Sequence, residues 1–382
     1  MDFESLFDIP IDDLHTPCYL TDARLLQKNT ALLKQIQQRT GCKILLAQKA
    51  FSMFSAYPLI RDDLAGTTAS GLFEAKLGRE HFGKEVHVFS PAYTQEDFTQ
   101  LLELCDHIVF NSFGQWKKYR QQVQDATRNI SCGIRINPGY AEVETDLYNP
   151  CISGSRMGVP LEQMEDDFAG LDGIHFHTMC EQNSDVLEHT LDYMLPQFDK
   201  WLKRCKWVNF GGGHHITRPD YDVERLVRCI ERVRDTYGVQ VYLEPGEAVA
   251  LNAGYLVATV LDVVHNGMDI AILDASAACH MPDVLEMPYR PHILYSGTAG
   301  EKTHTYRLAG NTCLAGDVIG DYSFDHQLQA GEKLVFCDMA IYSMVKNNTF
   351  NGVPLPDIAL YQNGHIDLVK RFGYADFEGR LS

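Results

Sequence analysis

Four features of this sequence could take part in one chemical reaction: a lysine, a histidine, a glycine triplet and a glutamate. Each follows or ends a short apolar run with the composition of a β-strand. The four are Lys49, His177, Gly211-Gly212-Gly213 and Glu244. Taken singly, each has an ordinary structural explanation, such as a solvated lysine, a hydrogen-bonded histidine or a loose turn. They become informative only as a set.

As a set, the four features would serve one cofactor. A lysine at an apolar strand end has its ammonium form disfavoured, which helps it form an imine with an aldehyde. Glycines let backbone N–H groups approach a phosphate closely. The Glu244 carboxylate can pair with a protonated pyridine nitrogen, and His177 can lie against the ring face. The set therefore predicts a site for pyridoxal 5′-phosphate at Lys49, Gly211, Gly212, Gly213, His177 and Glu244.

The elements that must position these residues alternate in type along the chain. Eight β-rich runs are separated by amphipathic stretches with helical periodicity. The runs are residues 43–48, 64–70, 85–90, 107–111, 131–137, 173–177, 206–210 and 239–244. The clearest helical stretches are residues 22–38, 72–81, 95–104, 115–123, 186–204 and 223–237, with Thr21 or Asp22 as the first N-cap.

Eight such units over about 220 residues predict a parallel sheet closed into a (β/α)8 barrel, with an open doubly wound sheet as the alternative. Barrel enzymes place catalytic groups where the strands end, so the four features would meet at one rim. After Gly246, strand-like runs separated by Gly, Pro, Asn and Asp predict a second, mostly β domain. The predicted domains are residues 20–248 for the barrel and 249–382, joined by 1–19, for the β-rich part.

Composition excludes several other classes. The net charge is −18 and no Lys/Arg run stands out, which disfavours nucleic-acid and anionic-membrane binding. The N-terminal segment MDFESLFDIPIDD is acidic and lacks the basic and apolar regions of a signal sequence, so no signal function is expected of it, and no apolar run reaches the length of a membrane span. Eleven scattered cysteines without a C-x-x-C pair predict reduced thiols in a cytoplasmic protein and no metal site.

Ordered motifs along nearly the whole chain resemble those of the fold-type III pyridoxal-phosphate decarboxylases, the group of alanine racemase, ornithine decarboxylase and diaminopimelate decarboxylase. The motifs are TPCYLTD (16–22), LLAQKAF (45–51), TTASGLFE (67–74), GIHFHTMC (173–180), NFGGGHH (209–215), LEPGE (243–247), NTCLAGDVIG (311–320) and AIYSMVKNNTFNG (340–352). Within this group, residues 272–291, ILDASAACHMPDVLEMPYRP, and the segment MVKNNTFNG resemble the carboxynorspermidine and carboxyspermidine decarboxylases.

The resemblance implies further site residues and a partner. Cys313 would protonate the α-carbon after CO2 leaves, supplied from the β-rich domain of a partner subunit, so the chain would form a homodimer with shared active sites. Tyr342 would contact the cofactor, and Asp274 would bind a distal ammonium group of a polycationic, carboxylated polyamine. Arg135, at the end of the fifth run, is a candidate for the ring oxygen of the cofactor. Asp283 and Glu286 are weaker candidates than Asp274 for binding the ammonium groups, and His280 is a further candidate for a substrate contact.

Three positions depart from the pattern of the group. Glu247 stands where relatives usually have Arg after Glu-Pro-Gly, which disfavours diaminopimelate as substrate. Thr67 stands where ornithine decarboxylase has Asp. Leu314 stands where the group has a second aspartate for the distal amine.

Three alternative functions stay open at this point. The first is another decarboxylase of the same group, acting on diaminopimelate, ornithine or lysine. The second is an amino-acid racemase, for which Tyr342 would be the second base. The third is a non-catalytic protein, against which the presence of both Lys49 and Cys313 argues.

Overall fold

A computed structural model of the chain describes Glu4 and residues 7–382. The chain divides into two compact units. The first contains Gln27–Val249, and the second combines Met1–Leu26 with Ala250–Ser382. Among the described residues, no helix combines the length and the apolar character needed to cross a membrane. All eleven cysteines are free thiols.

The first unit contains an eight-stranded parallel barrel, as predicted. The strands are β2 (Lys43–Ala47), β3 (Gly66–Ala69), β4 (Glu85–Phe89), β5 (His107–Phe110), β6 (Ser131–Asn137), β8 (Gly173–His175), β9 (Trp207–Asn209) and β10 (Gln240–Leu243), with the short β7 (Val159–Pro160) paired to β6. They follow one another in the order β5-β4-β3-β2-β10-β9-β8-β6, and pairing of β5 with β6 closes the ring. This closure excludes the open doubly wound sheet.

The helices between these strands agree closely with the hydrophobic periodicity of the sequence. They are α1 (Ala23–Thr40), α2 (Tyr57–Ile60), α3 (Leu72–Leu77), α4 (Gln95–Leu104), α5 (Phe113–Gln124), α6 (Ser184–Leu202), α7 (Val223–Tyr237) and α8 (Glu247–Ala250). Helices α4 and α7 have the predicted bounds, and side chains cap both: Thr94 accepts from the Asp97 N–H, and Asp222 accepts from the Arg225 N–H.

One predicted helix is shorter than expected. The stretch 72–81 is α-helical only to Leu77 and continues as a π-helical turn over Gly78–Phe82. A Cβ atom at Gly78 would lie 2.3 Å from Thr67 Oγ1, so the backbone at this turn packs directly against β3. The hydrophobic periodicity of residues 72–81 does not reveal this contact, because the contact joins the helix to a residue of the preceding strand.

The second unit is built on one sheet in which β1 (Cys18–Asp22) is a central strand. β1 pairs antiparallel with β11 (Gly254–His265) and parallel with β17 (Asp357–Gln362). The β-rich unit includes residues 20–26, whereas the sequence pattern predicts that the barrel domain begins at residue 20. The other strands are β11 (Gly254–His265), β12 (Asp269–Leu273), β13 (Gly297–Thr298), β14 (His304–Ala309), β15 (Val318–Phe324), β16 (Lys333–Cys337), β17 (Asp357–Gln362) and β18 (His365–Lys370), with short helices α9 (Ala277–His280), α10 (Asp283–Glu286) and α11 (Tyr374–Glu378).

The amino ends of the barrel strands hold a charged cluster, which we call the barrel floor: Lys43, Glu85, His87, His107 and Tyr242. Glu85 pairs with the Lys43 ammonium group, and its Oε2 atom lies 3.2 Å from both His87 Nε2 and the Tyr242 hydroxyl. The His87 and His107 rings stack at 3.9 Å. Glu85, His87 and His107 lie close enough together to hold a metal ion in geometric terms. Because Lys43 already supplies the positive charge, we assign no metal here.

Candidate active site

At the carboxyl ends of the barrel strands lies a cavity of about 480 Å³. Five residues predicted from the sequence line it, although they are far apart in the chain: Lys49, Arg135, His177, Gly212 and Glu244. They come from β2, β6, β8, β9 and β10 or from the residues just after these strands. The structure therefore brings together the lysine, the histidine, the glycine loop and the glutamate at one rim.

Lys49 projects into this cavity and remains accessible from it. The surrounding protein removes water from its ammonium group and, together with the nearby Arg135 guanidinium, lowers its pKa. The carboxylates of Glu247 and Glu244 oppose this shift. The net downward shift makes the neutral amine, which is the nucleophilic form of lysine, easier to reach than it is for a lysine in water.

Glu244 follows β10 directly and is held by two side chains that the sequence analysis did not single out. His175 Nε2 lies 3.2 Å from Glu244 Oε2, and Asn209 Nδ2 donates to Oε1 at 2.7 Å. Burial alone would raise the pKa of Glu244, but the interactions with His175 and the bond from Asn209 lower it to about 2. Glu244 is therefore a carboxylate that presents negative charge to the cavity.

A sequence signal for His175 did exist. In GIHFH, residues 173, 175 and 177 share one face of the strand because side chains alternate with a period of two. The position of His177 at the strand end predicts that it belongs to the site, and the alternation predicts the same for His175. Asn209 is directly opposite His175 in the register of β8 and β9, which local pattern does not reveal.

Arg135 is buried in the cavity wall, and the protein supplies hydrogen-bond acceptors for only some of its N–H groups. Its Nη2 atom donates to the His177 carbonyl at 3.4 Å, and the guanidinium lies 4.6 Å from the centre of the Phe89 ring. Burial lowers the pKa of Arg135 to about 10. Its Nε atom has no hydrogen-bond partner among the described residues. A buried donor of this kind suits an oxygen atom of a bound molecule.

The glycine triplet forms a tight loop against the end of β8. Gly211 and Gly213 have left-handed backbone angles, with φ of 70° and 83°. A Cβ atom at Gly212 would lie 2.6 Å from the Glu244 carbonyl oxygen. The Gly212 N–H donates to His177 Nδ1 at 2.8 Å, so this loop also orients the histidine ring. Only glycines allow such a close approach, because a Cβ atom at any of the three positions would clash with the backbone of the segments that follow β8 and β10.

In the second unit, Cys313 is exposed on the loop between β14 and β15. Its N–H donates to Asn351 Oδ1 at 2.7 Å. The loop is anchored by the buried Asp317, whose Oδ2 atom accepts from Thr312 Oγ1 at 2.6 Å and from Ser276 Oγ at 2.8 Å. Tyr342 lies in another loop and has a left-handed φ of 49°. Both residues occupy defined loops rather than sheet interiors.

The predicted substrate-contacting residues of this unit differ in their surroundings. Asp274 is half-buried, which raises its pKa, and its oxygens accept from Thr16 Oγ1 at 2.6 Å and from the Thr259 N–H at 2.7 Å. His280 is fully buried between two backbone groups, the Ser276 N–H and the Pro354 carbonyl. This arrangement is typical of a structural histidine.

The other two candidates of this unit are neighbours of one lysine. Asp283 pairs with Lys346, and Glu286 lies 2.6 Å from the same ammonium group. Their negative charge is therefore shared with a cation of the chain itself, which lowers the affinity that they offer to a second cation.

Comparison with known proteins places this chain in a family. Residues 18–340 match the model described as "Pyridoxal-dependent decarboxylase, C-terminal sheet domain". The chain belongs to the pyridoxal-dependent decarboxylase family, and it is an enzyme of the carboxy-lyase class whose cofactor is pyridoxal phosphate.

Individual members of this family are similar to the chain over nearly its whole length. The chain is 42% identical to a carboxynorspermidine/carboxyspermidine decarboxylase of Campylobacter jejuni, over 97% of this chain and 99% of that protein. It is 41% identical to a carboxyaminopropylagmatine decarboxylase of Synechocystis, over 97% and 96% of the two chains. A crystal structure of C. jejuni carboxynorspermidine decarboxylase complexed with norspermidine superimposes with a TM-score of 0.89 at 40% identity, covering 96% of this chain and all of that one.

The cavity fits pyridoxal phosphate on three observations of this structure. Arg135 Nε is a buried donor without a partner. The amino group of Lys49 lines the same cavity and has a lowered pKa, as imine formation with an aldehyde requires. Glu244 is a buried carboxylate whose hydrogen bonds come from the neutral Asn209 amide and from His175, whose pKa burial lowers. A carboxylate held in this way suits the protonated nitrogen of a pyridine ring.

Proposed function

We propose that this enzyme removes the α-carboxylate of carboxynorspermidine or carboxyspermidine, yielding norspermidine or spermidine and CO2 in polyamine biosynthesis. The observation that carries the proposal is the end-to-end match, at 42% identity, to an enzyme named for these substrates. A structural neighbour with norspermidine bound, at 40% identity, supports the same substrate class. Acidic residues and a net charge of −18 suit a polycationic substrate.

Within this proposal, four residues of the barrel hold the cofactor. Lys49 supplies the amine to which it attaches, His177 lies against its ring, Glu244 pairs with its ring nitrogen, and Arg135 donates to its ring oxygen. When bound, pyridoxal phosphate supplies an aldehyde that takes the substrate amine and a ring that withdraws electrons from the α-carbon. The low pKa of Glu244 and the lowered pKa of Lys49 support these roles.

The β-rich unit supplies the remaining groups in the same proposal. Cys313, from a partner subunit of a homodimer, gives a proton to the α-carbon after CO2 has left. Tyr342 contacts the cofactor. Asp274 receives a distal ammonium group of the substrate, because a carboxylate oxygen that accepts one hydrogen bond retains capacity for another. The exposed position of Cys313 supports its use by a second subunit.

The test is steady-state CO2 release from purified protein with carboxynorspermidine, carboxyspermidine, carboxyaminopropylagmatine and diaminopimelate. We expect kcat/KM for the first two to exceed that for diaminopimelate by at least about 100-fold, because a site built for cations leaves a distal carboxylate unpaired. The Lys49→Ala variant should release no CO2 above background. The Cys313→Ala variant should lose most activity but retain cofactor absorbance.

Two outcomes would overturn this assignment. A preference for diaminopimelate would indicate a different decarboxylase of the same family, and a preference for carboxyaminopropylagmatine would indicate the function of the Synechocystis relative. Full activity in Lys49→Ala would contradict the role of the lysine. Sedimentation of the active protein as a monomer at assay concentration would contradict the shared site.

A further inference from the structure

The segment NTFNG (348–352) belongs to a motif that carries the family resemblance, yet none of the roles above uses it. Its first residue anchors the segment to the short helix α9. The backbone N–H of Asn348 donates to the Cys279 carbonyl at 2.9 Å, and its Nδ2 atom donates to the Ala278 carbonyl at 2.8 Å. The Oδ1 atom of the same side chain accepts from the Phe350 N–H at 3.0 Å. These three bonds fix the turn on the β-rich unit.

The second asparagine of the segment, Asn351, reaches the loop that carries Cys313. Its Oδ1 atom accepts from the Cys313 N–H at 2.7 Å. The backbone of Asn351 is left-handed, with φ of 57° and ψ of 14°, a conformation that glycine and asparagine adopt more readily than other residues. Asparagine therefore meets two requirements at this position, because it tolerates the backbone conformation and supplies the acceptor.

The loop of residues 310–317 has two anchors, one at its base and one at its tip. The base is held by the buried Asp317, which accepts hydrogen bonds on both sides of the loop. The tip consists of residues 313–316. Within the part of the chain that the structure describes, its one hydrogen bond to another segment is the bond from Cys313 to Asn351. The base is thus fixed without Asn351, whereas the placement of the tip depends on it.

The placement of the Cys313 thiol matters because the proposed reaction can be completed at either of two carbons. After CO2 has left, its electron pair is shared between the α-carbon and the carbon of the cofactor's aldehyde group. A proton on the α-carbon gives the polyamine. A proton on the other carbon gives, after hydrolysis, an aldehyde and the amine form of the cofactor. Substrate and pyridoxal phosphate then yield CO2, the aldehyde and pyridoxamine phosphate, and no external oxidant is required.

We propose that Asn351 is a positioning residue that holds Cys313 where its thiol protonates the α-carbon rather than the carbon of the cofactor. It acts through one hydrogen bond to the backbone of Cys313, since a general acid must lie within hydrogen-bond reach of the atom that it protonates. The inference deepens the proposed function and rests on the role of Cys313 in it. It does not depend on which polyamine is the substrate.

The first test compares Asn351→Gly with Asn351→Asp. Glycine adopts the left-handed backbone but lacks the acceptor, whereas aspartate tolerates the backbone and retains an acceptor oxygen. In a single turnover of the cofactor-loaded enzyme, aldehyde and pyridoxamine phosphate are measured per CO2 released. Loss of one hydrogen bond should raise the aldehyde fraction of Asn351→Gly about fivefold over that of the unmodified chain. The fraction for Asn351→Asp should stay within about twofold of the unmodified value.

The second test measures the hydrogen bond itself, without substrate or turnover. Hydrogen exchange of the Cys313 amide in the full-length chain should be about fivefold faster in Asn351→Gly and unchanged in Asn351→Asp. The matched control is Asn363→Gly. Asn363 has nearly the same backbone angle, with φ of 53°, in the exposed turn between β17 and β18, and its replacement should change neither quantity.

The reference for both tests is Cys313→Ala, which should raise the aldehyde fraction at least as much as Asn351→Gly. If it does so while Asn351→Gly leaves the fraction unchanged, the positioning role is wrong. Equal increases in Asn351→Gly and Asn351→Asp would also contradict it, because the acceptor would then be irrelevant. A purely structural residue would lower the unfolding midpoint without changing the aldehyde fraction. An unchanged fraction in Cys313→Ala would instead contradict the role of Cys313 in the proposed function.

Discussion

The two ends of the barrel contain the same pair of side chains at the same distance and use it differently. At the floor, His87 Nε2 lies 3.2 Å from Glu85, and at the rim, His175 Nε2 lies 3.2 Å from Glu244. The floor adds a cation, because Lys43 pairs with Glu85.

The rim adds a neutral amide, since Asn209 donates to Glu244. The floor carboxylate is thus neutralised by the chain itself, whereas the rim carboxylate retains an affinity for an external cation. This difference agrees with the general division of barrels into a stabilising amino-terminal face and a functional carboxyl-terminal face. No lysine or arginine among the described residues is bonded to the rim carboxylate, so its charge can pair with a cation of a bound ligand.

The largest effect should follow removal of the rim charge. In Glu244→Gln the shape is kept but the negative charge is lost, so kcat should fall about 100-fold or more. Thermal stability should be unchanged or slightly higher, because a buried charge is removed. CO2 release and the unfolding midpoint measure the two effects. A variant that lost stability but retained kcat would show that the rim carboxylate is structural.

Removal of the floor cation should lower stability and leave activity unchanged, the opposite of the effects expected for Glu244→Gln. In Lys43→Met the Glu85 carboxylate loses its counter-ion, and the free energy of unfolding should fall by about 1–2 kcal/mol, a value limited by the partial exposure of both groups. The kcat of the cofactor-loaded enzyme should be unchanged. Denaturant unfolding and CO2 release check this expectation, and a drop in kcat exceeding a few-fold would contradict the division between the two ends.

The floor should also make stability sensitive to acid. Burial lowers the pKa of His107 to about 3 from its usual 6.5, so between these values the unfolded chain binds a proton that the folded chain does not. Stability therefore decreases as the pH falls below 6.5, by up to ~1.4 kcal/mol per pH unit for this group. His107→Gln should make the curve of unfolding free energy against pH flatter between pH 6.5 and 5. An unchanged slope would contradict this account.

The smallest effect should come from a conservative change at the rim. In His175→Gln the amide can still donate to Glu244, so kcat should fall less than about threefold. In His175→Leu the donor is lost and the decrease should be about tenfold. The absorbance spectrum of the bound cofactor against pH checks whether the ring nitrogen is affected. Equal activity in both variants would show that His175 does not influence Glu244.

Much of the fold follows from local patterns. Helices α4 and α7 have the predicted bounds because a capping side chain marks each start and helical periodicity continues to each end. The eight strands were visible as β-rich runs, and the rule that barrel sites lie where strands end selected Lys49, His177 and Glu244. The family resemblance added Cys313, Tyr342 and Asp274, which local patterns do not distinguish from ordinary surface or loop residues.

The sequence by itself determined which residues stand at strand ends, since hydrophobic period and capping are properties of neighbouring residues. Only the tertiary structure decided which of these residues meet. The partners His175 and Asn209 of Glu244 depend on the register of three barrel strands, and the floor pair His87 and His107 depends on the pairing of β4 with β5. Closure of the whole barrel sets these registers, because the backbone hydrogen bonds of each strand are complete only when both neighbouring strands are in place.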